Sequence, residues 1–376
     1  MEETLSLGRI GGVRVGLHWS VLVIVALVTV ALARGRFPEA HPGHSAFAYW
    51  ALAVLTAVVF LVSLLAHELA HAVVARRNDV QVEGITLWML GGAARLRGEA
   101  PSPAAELRIA GVGPLTSLLA GAVLAAAALG LGALHVSGLV VEAVAWLAAI
   151  NVLLAVFNAL PAAPLDGGRL LRAYLWHRTG DRLRATQGAT AAGRALGWFM
   201  VVTGFADLLF IGNLAGLWPA LIGWFLIAAA TAEARQAQMR GALEGVPVSR
   251  VMTPDPVTVP ATATLAAFLA EGPFGSYRHS AFPVLEADGS VTGLLTLRRV
   301  NAAPAHARAT TTVREVMHPL GEVVTAVPQE PVLDLLPRLE ANPLRRALVI
   351  DGGRVAGILT VADIARALAW PAARKV

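Results

Sequence analysis

Residues 54–77 read VLTAVVFLVSLLAHELAHAVVARR, and before Arg76 the stretch carries one formal charge, Glu68, set between His67 and His71. A helix needs about 20 mostly apolar residues to cross a bilayer, and this run supplies them. On a helix, side chains four apart share a face one turn apart, so the spacing predicts both imidazoles on one side. That geometry suits two ligands of a tetrahedral zinc, with the adjacent Glu68 placed to act as general base. The competing structural reading is a hydrogen-bonded His–Glu cluster between helices. Ionisable groups at membrane depth are costly and mark function by default, which favours the metal. From His67 to Arg76 is nine residues, or roughly 13 Å of helix, so the site falls inside the hydrocarbon nearer the arginine end.

Composition agrees with a chain that lives in lipid. Of 376 residues, 56% are hydrophobic and 15% charged, where soluble domains carry about 25% charged residues. There is no cysteine, which excludes disulfides and thiolate metal ligands. The net charge of +5 is almost all arginine, Lys375 being the one lysine. Arginines gather at 76–77, 95–97, 169–194 and 235–240. Under the positive-inside rule these segments face the cytoplasm, so they read as topology signals and not as a nucleic-acid surface.

Six stretches are long and apolar enough to span: about 17–34, 50–75, 107–133, 138–160, 195–212 and 215–232. Six crossings put both termini on the cytoplasmic side, with Arg34 and Arg36 as exceptions on the outer side. Ala31-Leu32-Ala33 has the small-residue pattern of a signal-peptidase site, but the apolar run before it is long for a signal peptide. Between the second and third spans, VQVEGITLWMLGGAARLRGEAPSP (80–103) alternates on both sides of Gly91-Gly92, the pattern of a β-hairpin. Starting and ending on one side, it either re-enters the membrane or lies outside as an ordinary hairpin. Irregular backbone at membrane depth survives only against protein or a watery cavity.

Zinc requires a third protein ligand and keeps its fourth position for water. The best candidate is Asp166 in NVLLAVFNALPAAPLDGGRLLRAYLW (151–176). Pro161 and Pro164 end the fourth span there, which lets a carboxylate turn back toward the bundle. His18, at the start of the first span, is read as interfacial, as are Glu142 and Asp207. His41, His44 and His135 fall in outer loops and read as solvated.

After residue 245 the apolar runs vanish and a repeat begins. VSRVMTPDPVTVP (248–260) is echoed by VREVMHPLGEVVTAVP (313–328), and AFPVLEADGSVTGLLTLRRV (281–300) by RALVIDGGRVAGILTVADI (346–364). Gly293 and Gly357 set a period of 64 residues. Two such units with strand–turn–strand–helix patterning make a compact α/β pair.

HELAH at 67–71, NALPAAPLDGG at 158–168 and GVGPLTSLLAG at 111–121 together resemble the site-2 proteases, intramembrane zinc metalloproteases. The repeat resembles a pair of CBS domains, and site-2 proteases with such a tail form a prokaryotic subgroup. The resemblance implies one zinc per chain on His67, His71 and Asp166, water activated by Glu68, and Asn158 holding or polarising the scissile carbonyl. It implies a hairpin that guides substrate as an added strand. It also implies regulated intramembrane proteolysis of a transmembrane protein, such as an anti-sigma factor or another signalling precursor. The tail it implies is regulatory, or dimerising through the CBS pair, with an adenine nucleotide held by Thr360 and Asp363. In the first repeat Thr296 is present but Arg299 stands where the acid is expected.

The expected fold is therefore a polytopic α-helical membrane protein with six transmembrane helices and a β-hairpin that is either re-entrant or outside the membrane, followed by a soluble α/β CBS-domain pair. Expected boundaries are 1–235 for the protease, 236–247 for a linker, 248–305 and 311–370 for the CBS units. A multi-pass cell-membrane location with lipid as partner follows, with no nucleic acid. The alternative is a CBS-gated metal ion transporter or channel using the HELAH residues as an ion site, since broken helices also mark transporters. Against it stand the absence of an inverted repeat in the spans and the glutamate between the ligands.

Overall fold

The computed structural model describes residues 4–89, 91–272 and 280–369. Residues 273–279 of the first CBS repeat, residue 370 of the second and Lys375 lie outside them. The chain divides into two compact units, Met1–Ala237 and Gln238–Val376.

The first unit opens with strands β1 (Leu5–Ile10) and β2 (Val13–Leu17), a hairpin the span-centred sequence reading missed. Next comes α1 (Val21–Ala31), extended through a π-helical turn (Leu32–Arg36) into α2 (Phe37–Ala40). Helix α3 (Ala46–Arg77) carries the HELAH segment. It starts where Ser45 accepts a hydrogen bond from the amide of Ala48 at 3.2 Å, a serine N-cap. Strands β3 (Gln81–Trp88) and β4 (Gly91–Arg97) form the expected hairpin. They are followed by α4 (Pro103–Ala133), α5 (Gly138–Asn158), α6 (Asp166–Thr179), α7 (Arg182–Ala206) and α8 (Leu217–Leu243).

Among the described residues six helical segments are long and apolar enough to cross a membrane: Val21–Ala40, Ala46–Arg77, Pro103–Ala133, Gly138–Asn158, Arg182–Ile211 and Leu214–Leu243. The fifth begins well before residue 195, because Arg182–Ala195 is helical although polar. The exceptional Arg36 pairs with Glu142 of α5 at 2.7 Å, so each charge offsets the other. Asp207 accepts from Asn213 at 2.8 Å.

The four strands make one sheet in the order β1-β2-β3-β4, with β2 and β3 parallel. Ile85 and Leu87 of β3 are buried with Val13, Val21 and Ala72, which fixes the sheet on α3. β4 pairs with β3 from Trp88 opposite Gly91 onward, so the two glycines open the returning strand. Within the described residues β4 is an edge strand of this sheet.

The second unit holds two sheets that exchange strands. One is β6 (Val259–Pro260), β7 (Ala281–Leu285), β8 (Val291–Thr296) and β9 (His318–Pro319). The other is β10 (Val324–Ala326), β11 (Arg346–Asp351), β12 (Arg354–Thr360) and β5 (Thr253–Pro254). Each repeat thus lends its opening segment to the other's sheet. The paired glycines explain the period: a Cβ on Gly293 would lie 2.3 Å from the His318 carbonyl, and one on Gly357 2.9 Å from that of Thr253. Leu294 and Leu348 are fully buried in a core common to both repeats.

Candidate metal centre

Helix α3 presents His67 and His71 toward the N-terminus of α6. Their ring centroids are 4.8 Å apart. His67 Nε2 lies 3.2 Å from His71 Nε2, and Asp166 Oδ2 lies 3.2 Å from the first and 3.0 Å from the second. The chain reaches this arrangement because α5 stops at Asn158 and seven proline-rich residues separate it from α6, whose first residue is Asp166. Gly167 and Gly168 allow the approach: a Cβ on either would lie 2.2–2.3 Å from the backbone of residues 159–163.

Both imidazoles are held from behind. His71 Nδ1 donates to the Ile109 carbonyl at 2.6 Å. His67 Nδ1 shares a hydrogen bond with Ser117 Oγ at 2.9 Å. A carbonyl only accepts, so neutral His71 carries its proton on Nδ1 and turns a lone pair toward Asp166 and His67. Outer partners of this kind orient the ligands of metal sites. Ile109 and Ser117 lie on α4, which explains the GVGPLTSLLAG stretch. Gly113, between them, has no room for a side chain, since its Cβ would sit 2.1 Å from His71 Nε2 and 2.7 Å from His67 Nε2.

The donor set fits zinc. The three candidate ligand atoms lie within 4.8 Å of one another, buried or half-buried. Metal–ligand distances of about 2.0–2.1 Å give a tetrahedron with edges of roughly 3.3–3.4 Å. The observed separations of 3.0–3.2 Å are close to that. The lone pair that neutral His71 turns inward and the Asp166 carboxylate repel each other unless a proton or a metal ion lies between them.

The triad opens into a cavity of about 430 Å³ also lined by Glu68, Asn158, Arg169, Trp88, Gly91 and Gly92. Glu68 is backed by the hairpin, where a Cβ on Gly92 would lie 2.2 Å from its Cγ. Asn158 Nδ2 donates back to the Leu154 carbonyl at 3.1 Å. His18 is not among the lining residues; its amide donates to Leu87 at 2.8 Å and its ring bonds Ser20 at 2.8 Å.

Charge density behind the cavity escaped the sequence reading. Glu106 of α4 is fully buried and pairs with Arg172 of α6, whose Nε approaches it at 3.0 Å. Arg172 also reaches Glu233 of α8 at 3.1 Å. Nothing in the one-dimensional pattern joins residues so far apart.

In the second unit Thr360 and Asp363 form a capping box on the last described helix. Thr360 donates its amide (2.9 Å) and hydroxyl (2.6 Å) to Asp363 Oδ2, and Thr360 Oγ1 accepts from the Asp363 amide at 3.3 Å. Arg366 pairs with Asp363 at 3.1 Å. In the first repeat Thr296 caps Arg299, while Arg299 donates toward His318 Nε2 at 3.4 Å.

Comparison with known proteins matches the same segments. The model for peptidase family M50 matches residues 55–136 and 130–201, and the CBS-domain model matches 248–306 and 313–369. The Rip3 protein of Mycobacterium tuberculosis is 46% identical over 97% of this chain and 93% of its own length. The zinc metalloprotease MJ0392 of Methanocaldococcus jannaschii is 27% identical over 98% of this chain and 97% of its own. The solved structure of a site-2 protease from Methanocaldococcus jannaschii, 27% identical, covers 61% of this chain and 94% of that one with a TM-score of 0.42. The chain belongs to peptidase family M50, the intramembrane site-2 proteases, in the form that carries a C-terminal pair of CBS domains.

Proposed function

We propose that this chain is an active protease that hydrolyses a peptide bond within or beside a transmembrane segment, using one zinc held by His67, His71 and Asp166. The observation that carries this reading is the convergence of three candidate ligand atoms in a cavity that also contains Glu68. Bound there, zinc supplies Lewis acidity that lowers the pKa of water to about 7 and polarises a carbonyl. Glu68 takes the water proton and returns it to the leaving amine. Asn158 gives up its bond to Leu154 and donates to the developing oxyanion instead. Metal analysis tests the ligand set: His67→Ala and Asp166→Ala should each lose the zinc that the native chain holds.

A helical substrate has no free backbone groups to offer, so it unwinds before cleavage. β4, an edge strand of its sheet beside Glu68, can take up the extended segment by strand addition. The arginine distribution supports cytoplasmic termini and a cytoplasmic CBS pair. In this reading residues 1–235 are the protease, 236–247 a linker, and 248–305 and 311–370 the CBS units. An anti-sigma factor or another signalling precursor is the kind of substrate such a site serves. The CBS pair binds an adenine nucleotide at Thr360 and Asp363, or joins two copies of the chain as a homodimer. Arg346, donating to Ser280 at 2.7 Å near Asp363, adds a cation to that region.

A further inference from the structure

Arg169 lines the cavity, three residues after Asp166 on α6, yet hydrolysis as derived above gives it no task. Its one ion pair among the described residues is a long contact, 3.6 Å from Nε to Glu106 Oε1. That oxygen is already taken by two nitrogens of Arg172. The other oxygen, Glu106 Oε2, is buried and has no hydrogen-bond partner. Arg169 approaches the occupied oxygen and offsets the Glu106 charge from 3.6 Å, without a hydrogen bond to it. Its two terminal nitrogens have no hydrogen-bond partner among the described residues, and the side chain, 26% exposed, borders the cavity. A guanidinium is always charged and offers paired donors that match a carboxylate.

We propose that Arg169 is a substrate-contacting residue that binds a carboxylate in the cavity. Two sources present that chemistry. Hydrolysis breaks the C–N bond, adds the water oxygen to the acyl carbon and sends a proton through Glu68 to the amine, leaving a new carboxylate on the N-terminal product. An acidic side chain next to the cut bond is the other source. The proposal rests on reading the cavity as a peptidase site.

The test uses the full-length, zinc-loaded chain in detergent and three probes followed by calorimetry: N-acetyl-Leu-Leu as free acid, the same peptide as its amide, and N-acetyl-Leu-Glu-Leu-amide. Zinc content is measured on the same samples. Arg169→Gln should keep one zinc and bind a carboxylate probe about tenfold to a hundredfold more weakly, the range for a lost hydrogen bond to a charged group. Arg169→Lys should restore part of the binding, and the neutral amide should not distinguish the variants. Loss confined to the free acid assigns the new product carboxylate, and loss confined to the glutamate peptide assigns an acidic residue beside the cut. Equal affinity of native and variant chains for both acids, with zinc intact, overturns the role of Arg169. A native chain without zinc overturns the peptidase reading and the proposal with it. Should Arg169→Gln fail to fold, Arg169→Lys decides: a lysine is a point charge without the paired donors, so unchanged affinity for both acids contradicts the assignment.

Discussion

Gly113 lies so close to His71 that a Cβ on it would sit 2.1 Å from Nε2, the atom that faces Asp166. A glycine inside a helix costs about 1 kcal/mol relative to alanine. Here the missing side chain leaves room for the converging candidate ligand atoms.

Gly113→Ala is thus a discriminating substitution. Helix propensity alone would raise stability by up to about 1 kcal/mol, but the added methyl pushes both rings away from the ligand triangle. We expect zinc well below one per chain with helix content unchanged, read by metal analysis and circular dichroism.

Gly92→Ala separates chemistry from metal binding. The methyl would meet Glu68 Cγ at 2.2 Å, near the backbone end of the side chain where yielding is hardest. Zinc should stay at one per chain while cleavage falls at least tenfold. Loss of metal from this variant would mean that the hairpin holds the ligands and not the base.

Ser117→Ala removes the partner of His67 Nδ1. Loss of such outer contacts typically weakens metal affinity about 10–100-fold. Competition with a chelator should show that range, with His71 still anchored on Ile109.

The HELAH spacing and the proline-interrupted LDGG segment were legible because helix period and helix breaking are local properties. The exchange of strands between the repeats is a finding of the fold, whereas the six spans and the repeat itself, through Gly293 and Gly357, were legible in the sequence. The N-terminal hairpin was not, since LSLGRIGGVRVGL is short and stands before a much stronger span signal. The Glu106–Arg172–Glu233 network was also invisible: its members lie 61 and 66 residues from Arg172, and only packing of α4, α6 and α8 joins them. Thr-x-x-Asp read as a ligand motif; the folded chain adds that it closes a capping box.

That second role shapes the test of the CBS pair. Asp363→Asn keeps an acceptor for the cap and removes the charge, so the melting temperature of the full chain should hold. ATP or AMP binding by calorimetry should weaken at least tenfold. Unchanged nucleotide affinity would remove Asp363 from the ligand site, and no binding by the native chain would leave dimerisation as the module's role.

Orientation is accessible because the chain has no cysteine. Single cysteines at the exposed positions 184 and 238 should react only with reagents that reach the cytoplasm. Labelling by an impermeant reagent from outside would overturn cytoplasmic termini.

The central claim is that Glu68 activates water at a zinc that it does not itself hold. Glu68→Gln keeps the shape and removes the base, so the direct measurement is zinc content together with cleavage of a co-expressed membrane substrate. One zinc per chain with cleavage reduced at least a hundredfold is the expected result. Cleavage at the native rate, or zinc lost together with activity, would contradict the account.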